Sequence, residues 1–221
     1  MFKKILVVED YDSINVGIVT ALSSVDREIY NTKYCDDAWV KIKGAEINNS
    51  PFDLIITDLS FVEDFRETTI KGGADLIRLI KQNYPKTKII VYSIENRYIE
   101  INTLLEELKV DAYVSKGRDS LKDIISAIDH ISKSSTPYLS LDIKELKSNP
   151  TALILTDEDL EIIQLLSEGY TQNEISIKFK EKNSHITSTS SIEKRISKIK
   201  TSFDAKNTIH LVSIAKDMGL I

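Results

Sequence analysis

The constraint that narrows this chain most is an alternation. Five short apolar runs, Lys4–Val8, Glu28–Tyr34, Asp53–Thr57, Lys88–Tyr92 and Ala112–Ser115, alternate with longer segments at Ile14–Leu22, Ala38–Ile47, Ala74–Gln82, Tyr98–Leu108 and Leu121–Ile131. In the longer segments apolar residues recur every three or four positions, the spacing of an amphipathic helix. All the short runs but the second, EIYNTKY, are nearly unbroken, as strands are when both faces of their sheet are covered. Strand and helix in turn predict a mostly parallel sheet with helices on both sides. A sheet of that kind collects its chemistry at the carboxyl ends of its strands.

Those ends carry polar residues. Glu9 and Asp10 follow the first run, Asp58 the third and Lys116 the fifth, while Ser93 closes the fourth. Burying a charge is expensive unless something pairs it, and three carboxylates brought together would shift one another's ionisation. A hard divalent cation resolves that conflict, and Mg²⁺ suits a few carboxylates supplemented by water and phosphate oxygens. Lys116 adds the positive charge that a bound anion needs, or serves as a structural partner for one carboxylate. Taken singly, Glu9 and Asp10 read equally well as a helix entry, and Asp58 as the start of a surface loop. All five on one edge favour a site.

Beyond residue 131 the pattern changes. SKSSTPYLSLDIKELKSNP (132–150) is rich in Ser and Lys and lacks a sustained apolar stripe, so it reads as a linker with a short helical turn near Leu141–Leu146. From Leu155 onward the spacing is wholly helical. Thr156 with Asp157, Glu158 and Asp159 suits a helix N-terminus, and Gly169 ends that helix. A second helix begins at Thr171, a third carries Ile192, Ile196, Ile199 and Phe203 on one stripe, and a fourth covers Asn207–Lys216. The net charge is -5, yet residues 178–206 hold eight basic and three acidic side chains. Overall acidity therefore does not exclude nucleic acid, because phosphates respond to a local basic element. The second and third helices have the order of a helix-turn-helix, and on a helical wheel Lys194 and Lys198 lie broadly opposite the apolar stripe, with Arg195 and Lys200 nearer its flanks. A basic helix simply facing solvent would look the same. The single cysteine, Cys35, excludes an internal disulfide. The opening MFKKILVVED resembles neither a signal peptide nor a membrane span, so a cytoplasmic protein without membrane contact is expected.

Two resemblances sharpen this reading. Residues 1–130 resemble the receiver domain of bacterial response regulators: VVED (7–10) matches its acidic pair, FDLIITDL (52–59) its phosphoacceptor segment, VYS (91–93) its switch hydroxyl and AYVSK (112–116) its aromatic-and-lysine segment. LTDEDLEIIQLLSEGYTQNEIS (155–176), SSIEKRISKIKTSFDAKN (190–207) and LVSIAKDMGLI (211–221) resemble the LuxR/NarL-type DNA-binding domain. The resemblance implies a five-stranded flavodoxin-like receiver of strand order 2-1-3-4-5 (1–131), a linker (132–150) and a small all-α helix-turn-helix domain (151–221). It implies that Asp58 accepts a phosphoryl group from a histidine kinase, with Mg²⁺ held by Glu9, Asp10, Asp58 and the backbone carbonyl of Ser60. Lys116 and Ser93 would contact the phosphoryl group, and Ser93 with Tyr113 would form the switch, although Tyr113 alone reads as an ordinary core aromatic. The output it implies is a regulator of transcription that binds double-stranded DNA through Lys194, Arg195, Lys198 and Lys200 and dimerises on activation. The same resemblance implies no enzyme beyond the receiver's own Mg²⁺-dependent phosphorylation and slow dephosphorylation. The alternative from another class is a phosphorylation-controlled protein-interaction module whose helical domain does not grip DNA; a small Mg²⁺-dependent phosphatase is weaker, for want of a substrate cavity.

The chain departs from these patterns in two places. SFVEDFRETTIKGG (60–73) replaces the family's short Met-Pro loop, and Gly73 stands 15 residues beyond Asp58. With Glu63, Asp64, Arg66, Glu67 and Lys71 this segment either shapes kinase recognition and phosphate lifetime or is a tolerated excursion. In the helical part, FKEKNSHITSTSS (179–191) is longer than the usual turn, and Arg195 stands where the family commonly has His.

Overall fold

The computed structural model describes residues 2–23, 26–62, 64–95, 98–148, 155–182, 184 and 187–221. Glu63 of the charged segment, residues 149–154 of the expected linker boundary, and residues 183, 185 and 186 of the expected long turn lie outside them. The chain divides into two compact units, one of residues 1–95 and 101–144 and one of residues 96–100 and 145–221.

From Lys4 to Leu139 the chain follows the alternation: β1 (Lys4–Val8), α1 (Asp12–Leu22), β2 (Glu28–Thr32), α2 (Cys35–Ile47), β3 (Leu54–Thr57), α3 (Gly73–Asn83), β4 (Lys88–Ser93), α4 (Tyr98–Asn102), β5 (Ala112–Ser115), α5 (Ser120–Lys133) and β6 (Tyr138–Leu139). Every pairing is parallel, in the order β2-β1-β3-β4-β5-β6. Side chains alternate across a strand. Ile5, Val7, Leu54, Ile56 and Ile90 therefore turn to one face, where they pack with Ile18 and Leu22 of α1 and Ile124 and Ile128 of α5. Their neighbours Leu6, Val8, Ile55, Ile89 and Val91 are equally buried on the other face, which is why these strands read as continuous apolar runs. Each fully buried side chain of this size contributes about 1.5–3 kcal/mol.

Two features differ from the sequence expectation. Among the described residues the sheet has six strands rather than five. The sixth comes from the Ser-rich stretch, where Tyr138 N–H donates to the Asp111 carbonyl and Ser140 N–H to that of Tyr113, both at 3.0 Å. Two residues carry no readable period, so the pattern cannot announce them. After β6 the chain forms α6 (Leu141–Ser148), which covers the anticipated turn and extends it. The expected helix Tyr98–Leu108 is interrupted: α4 gives way to a π-helical turn at Thr103–Glu107, closed by Leu108 N–H onto the Thr103 carbonyl at 3.0 Å.

The helical unit contains α7 (Asp157–Ser167), α8 (Gln172–Glu181), α9 (Thr189–Ser202) and α10 (Thr208–Asp217). Side-chain caps start all four. Thr156 with Asp159 and Thr171 with Glu174 form reciprocal capping boxes, and Ser188 and Asn207 cap α9 and α10. Gly169 ends α7 at φ 90°, a left-handed conformation suited to glycine. Ile192 and Ile196 of α9 pack with Ile175 and Phe179 of α8, while Ile199 and Phe203 pack with Leu211 and Ala215 of α10. The stripe anticipated on α9 is buried along its whole length.

Candidate functional site

Parallel pairing brings the carboxyl ends of β1, β3, β4 and β5 side by side. Asp58 N–H donates to the Val8 carbonyl at 3.1 Å, and Lys116 N–H to that of Ser93 at 2.9 Å. The residues just past each strand are thus tied to their neighbours by the last ladder bonds. Glu9 is 1 % exposed, Asp58 4 % and Ser93 0 %, and one carboxylate oxygen from each of Glu9, Asp10 and Asp58 lies within 4.8 Å of the others.

Lys116 is the cation of the group. Its Nζ donates to Asp58 Oδ2 at 2.7 Å and forms an ion pair with Glu9 Oε2 at 2.8 Å. Asp58 Oδ1 accepts the N–H of Leu59 at 2.6 Å. Burial pushes the Glu9 carboxyl above the usual glutamate range, although Lys116 and the Tyr11 N–H pull the other way. Burial also opposes the charge on Lys116, but its contacts with Asp58 and Glu9 outweigh it and hold the ammonium above the ordinary lysine value. The ammonium stays charged.

Three carboxylates against one ammonium leave surplus negative charge. Asp10 Oδ2 accepts the N–H of Val62 at 2.8 Å, while Asp10 Oδ1 is buried without a hydrogen-bond partner among the described residues. An unpartnered, buried carboxylate oxygen facing two further carboxylates fits a hard divalent cation. The cluster could hold such a metal.

The remaining expected residues fall as follows. Ser60 is exposed beyond β3. Ser93 Oγ accepts the N–H of Glu95 at 3.3 Å. Tyr113 is fully buried, its hydroxyl donating to the Glu95 carbonyl at 2.6 Å; Ser93 and Tyr113 thus converge on one residue, a relation invisible in the sequence. Three supports were not anticipated. Asn15 Nδ2 donates to the Glu9 carbonyl at 3.1 Å, the Val62 N–H holds Asp10, and the Tyr92 ring lies 5.4 Å from Lys116 Nζ. Asn15 stands six positions after Glu9, on the first turn of α1.

Gly73 shows how closely the long segment returns to this site. Its N–H donates to the Leu59 carbonyl at 3.0 Å, and a Cβ there would stand 1.8 Å from the Asp58 carbonyl oxygen. Only glycine fits that approach.

On the helical unit, Lys194 and Lys198 are exposed on α9 and Lys200 is half-buried. Arg195 is engaged within the unit. Its guanidinium pairs with both oxygens of Asp159 through Nε and Nη2, and Nη2 also donates to Thr156 Oγ1 at 3.1 Å. Burial alone would raise the Asp159 carboxyl, but Arg195 and the Thr156 donors prevail and hold it below the usual carboxylate range.

No family model matches the chain. The response regulator protein VraR of Staphylococcus aureus is 26% identical over 226 residues, covering 99% of this chain and 98% of that protein. Among solved structures, the RcsB response regulator of Salmonella typhimurium superposes with a TM-score of 0.71 at 20% identity, over 97% of this chain and 99% of its own. RcsB of Salmonella enterica serovar Typhimurium bound to promoter rprA, in the presence of the phosphomimetic BeF3-, gives 0.63 at 20% identity over 95% and 96%. The α/β unit and the helical unit occur in these proteins in the same order and over nearly the whole length.

Proposed function

We infer that the chain is a two-domain response regulator, a phosphorylation-responsive, DNA-binding regulator of transcription. The observation that carries the reading is the buried constellation in which Asp58 stands between the Lys116 ammonium at 2.7 Å and an acidic pair with a spare oxygen. In this reading the domains are the receiver (1–131), a connecting stretch (132–150) and the helix-turn-helix domain (151–221), and the phosphoryl donor is a phosphohistidine of a sensor kinase.

Asp58 is the nucleophile. A carboxylate oxygen of Asp58 bonds to phosphorus as the bond to the donor's imidazole nitrogen breaks, and that nitrogen keeps the electron pair. Lys116 offsets the negative charge arriving at Asp58, a task suited to a compact ammonium. Glu9, Asp10 and Asp58, with the carbonyl of Ser60, would hold Mg²⁺, which supplies charge neutralisation for the transferring phosphoryl oxygens. Ser93 donates its hydroxyl to a phosphoryl oxygen. Its rearrangement reaches Tyr113 through Glu95, to which both now bond, so a local electrostatic event becomes a packing change.

On the output side, the likeness to RcsB bound to promoter rprA supports DNA contact, which this reading assigns to α9. Lys194, Lys198 and Lys200 grip phosphates, and Arg195, held by Asp159, steadies α9 against α7 and joins the contact only by leaving that carboxylate. Phosphorylation favours a homodimer that sets two α9 helices on adjacent half-sites.

The test treats wild type and Asp58→Ala with a small phosphoryl donor and Mg²⁺, then maps the sites bound on genomic DNA in vitro. Mass gain by one phosphoryl group and discrete DNA sites are expected for wild type alone. The same adduct on Asp58→Ala would remove the acceptor assignment. Absence of discrete, salt-sensitive binding by the phosphorylated protein, with a stable protein partner in its place, would favour an interaction module.

A further inference from the structure

The segment between β3 and α3 is tied down at a series of polar points. Tyr34 donates its hydroxyl to Asp64 Oδ2 at 2.6 Å, and Asp64 Oδ1 accepts the Arg66 N–H at 2.8 Å. The Arg66 guanidinium grips Asp37 with two bonds, at 2.6 and 3.0 Å, and lies 4.4 Å from the centre of the Tyr34 ring. Asp36 accepts the N–H groups of Thr69 and Ile70, at 3.1 and 3.3 Å. These receiving groups belong to the entry and first turn of α2. Between them the segment arches over a cavity of about 740 Å³ bordered by Asp10, Tyr34 and Arg66. Its place depends on these polar attachments together with the buried Ile70 side chain.

The end of the arch nearest the acidic cluster carries the Val62 N–H, which holds Asp10 Oδ2 at 2.8 Å and leaves Oδ1 buried and unpartnered among the described residues. We propose that Arg66, through its grip on Asp37 and Tyr34, is a positioning residue for Asp10: it fixes the arch so that the Val62 N–H presents the free Asp10 oxygen to a divalent cation. The insertion thus replaces a short loop with a braced one and makes metal affinity depend on residues remote from the ligands. This rests on the reading of Glu9, Asp10 and Asp58 as a cation site. Outer supports of metal ligands commonly matter at this level, at about tenfold or more in affinity.

Charge and position predict opposite signs for Arg66→Ala. Removing a cation near a cation site strengthens metal binding by simple electrostatics, whereas loosening Asp10 weakens it. The experiment titrates Mn²⁺ into the full chain by the loss of free-ion electron paramagnetic resonance signal, for wild type, Asp10→Ala, Arg66→Ala, Asp37→Ala and the double variant. Hydrogen exchange at the Val62 amide is followed in each. Expected are weak binding by Asp10→Ala, about tenfold weaker binding by each clamp variant, no further loss in the double variant, and faster Val62 exchange. Wild-type Mn²⁺ affinity in Arg66→Ala and Asp37→Ala overturns the proposal, as does weakened affinity with unchanged Val62 protection. Arg66→Lys, which keeps the charge but not the two-pronged grip, should behave like Arg66→Ala; full rescue by it would also overturn the proposal. If wild type itself takes up no Mn²⁺, the cation-site reading fails first and the inference falls with it.

Discussion

Each unit sets a buried aspartate against a cation, and the two pairings are built to opposite ends. Asp159 is 2 % exposed and Asp58 4 %. Asp159 is saturated: the Arg195 fork covers both oxygens, and Thr156 adds its N–H and hydroxyl at 2.9 and 3.1 Å. Asp58 receives one backbone N–H and one flexible ammonium that is shared with Glu9, beside an Asp10 oxygen with no partner among the described residues. A planar fork locks a carboxylate in place, whereas an ammonium on a four-carbon stem can follow an incoming anion. Burial and pairing alone do not mark a functional site. What separates the two is whether the valences are closed.

Breaking the closed pair should have the largest effect. Arg195→Ala strands a buried carboxylate and should cost the helical unit about 3 kcal/mol, read as a lower midpoint for the helical transition in urea. Acid should reproduce part of that loss. Because the Asp159 pKa is depressed in the fold, its contribution is fully present above the unfolded value of about 3.9 and disappears as pH falls through the folded value. Wild type and Asp159→Asn should therefore converge in stability as pH drops from about 5 toward 3, with the Asp159 carboxyl titrating late by nuclear magnetic resonance. The open pair should tolerate far more. Asp58→Asn keeps the Lys116–Glu9 ion pair and relieves the repulsion that Asp58 exerts on Glu9, so receiver stability should change by less than about 1 kcal/mol while phosphoryl uptake is abolished. Equal destabilisation by Arg195→Ala and Asp58→Asn would erase the contrast.

Legibility in the sequence followed the length of the signal. β1 and β5 sit where their apolar runs place them, and the α9 stripe is buried residue for residue. The acidic pair, Asp58, Ser93 and Lys116 were recoverable because parallel topology turns strand ends into neighbours. β6 was not, since two residues have no period. The π-helical turn was not, since Leu104 and Leu105 stay buried whether the local bond spans four residues or five. Arg195 shows a different limit. A helical wheel placed it on a basic flank, but its side chain is long enough to reach Asp159, 36 positions back on α7. The anchoring of the 60–73 segment was hidden for the same reason: Arg66 and Asp37 are 29 positions apart, and only the fold brings them within reach.

β6 also bears on how copies of this chain can meet. A sheet edge with unpaired N–H and C=O groups is a template for adding a strand from another molecule. On one side β6 occupies that edge along Ala112 and Tyr113, and the Ser140 hydroxyl takes the next free donor, Ser115 N–H, at 3.1 Å. What is left to copy is a strand two residues long. The opposite edge, β2, carries exposed Glu28, Tyr30 and Asn31, with a charge that resists stacking against its own kind. Polymerisation through the sheet is thereby disfavoured at both margins.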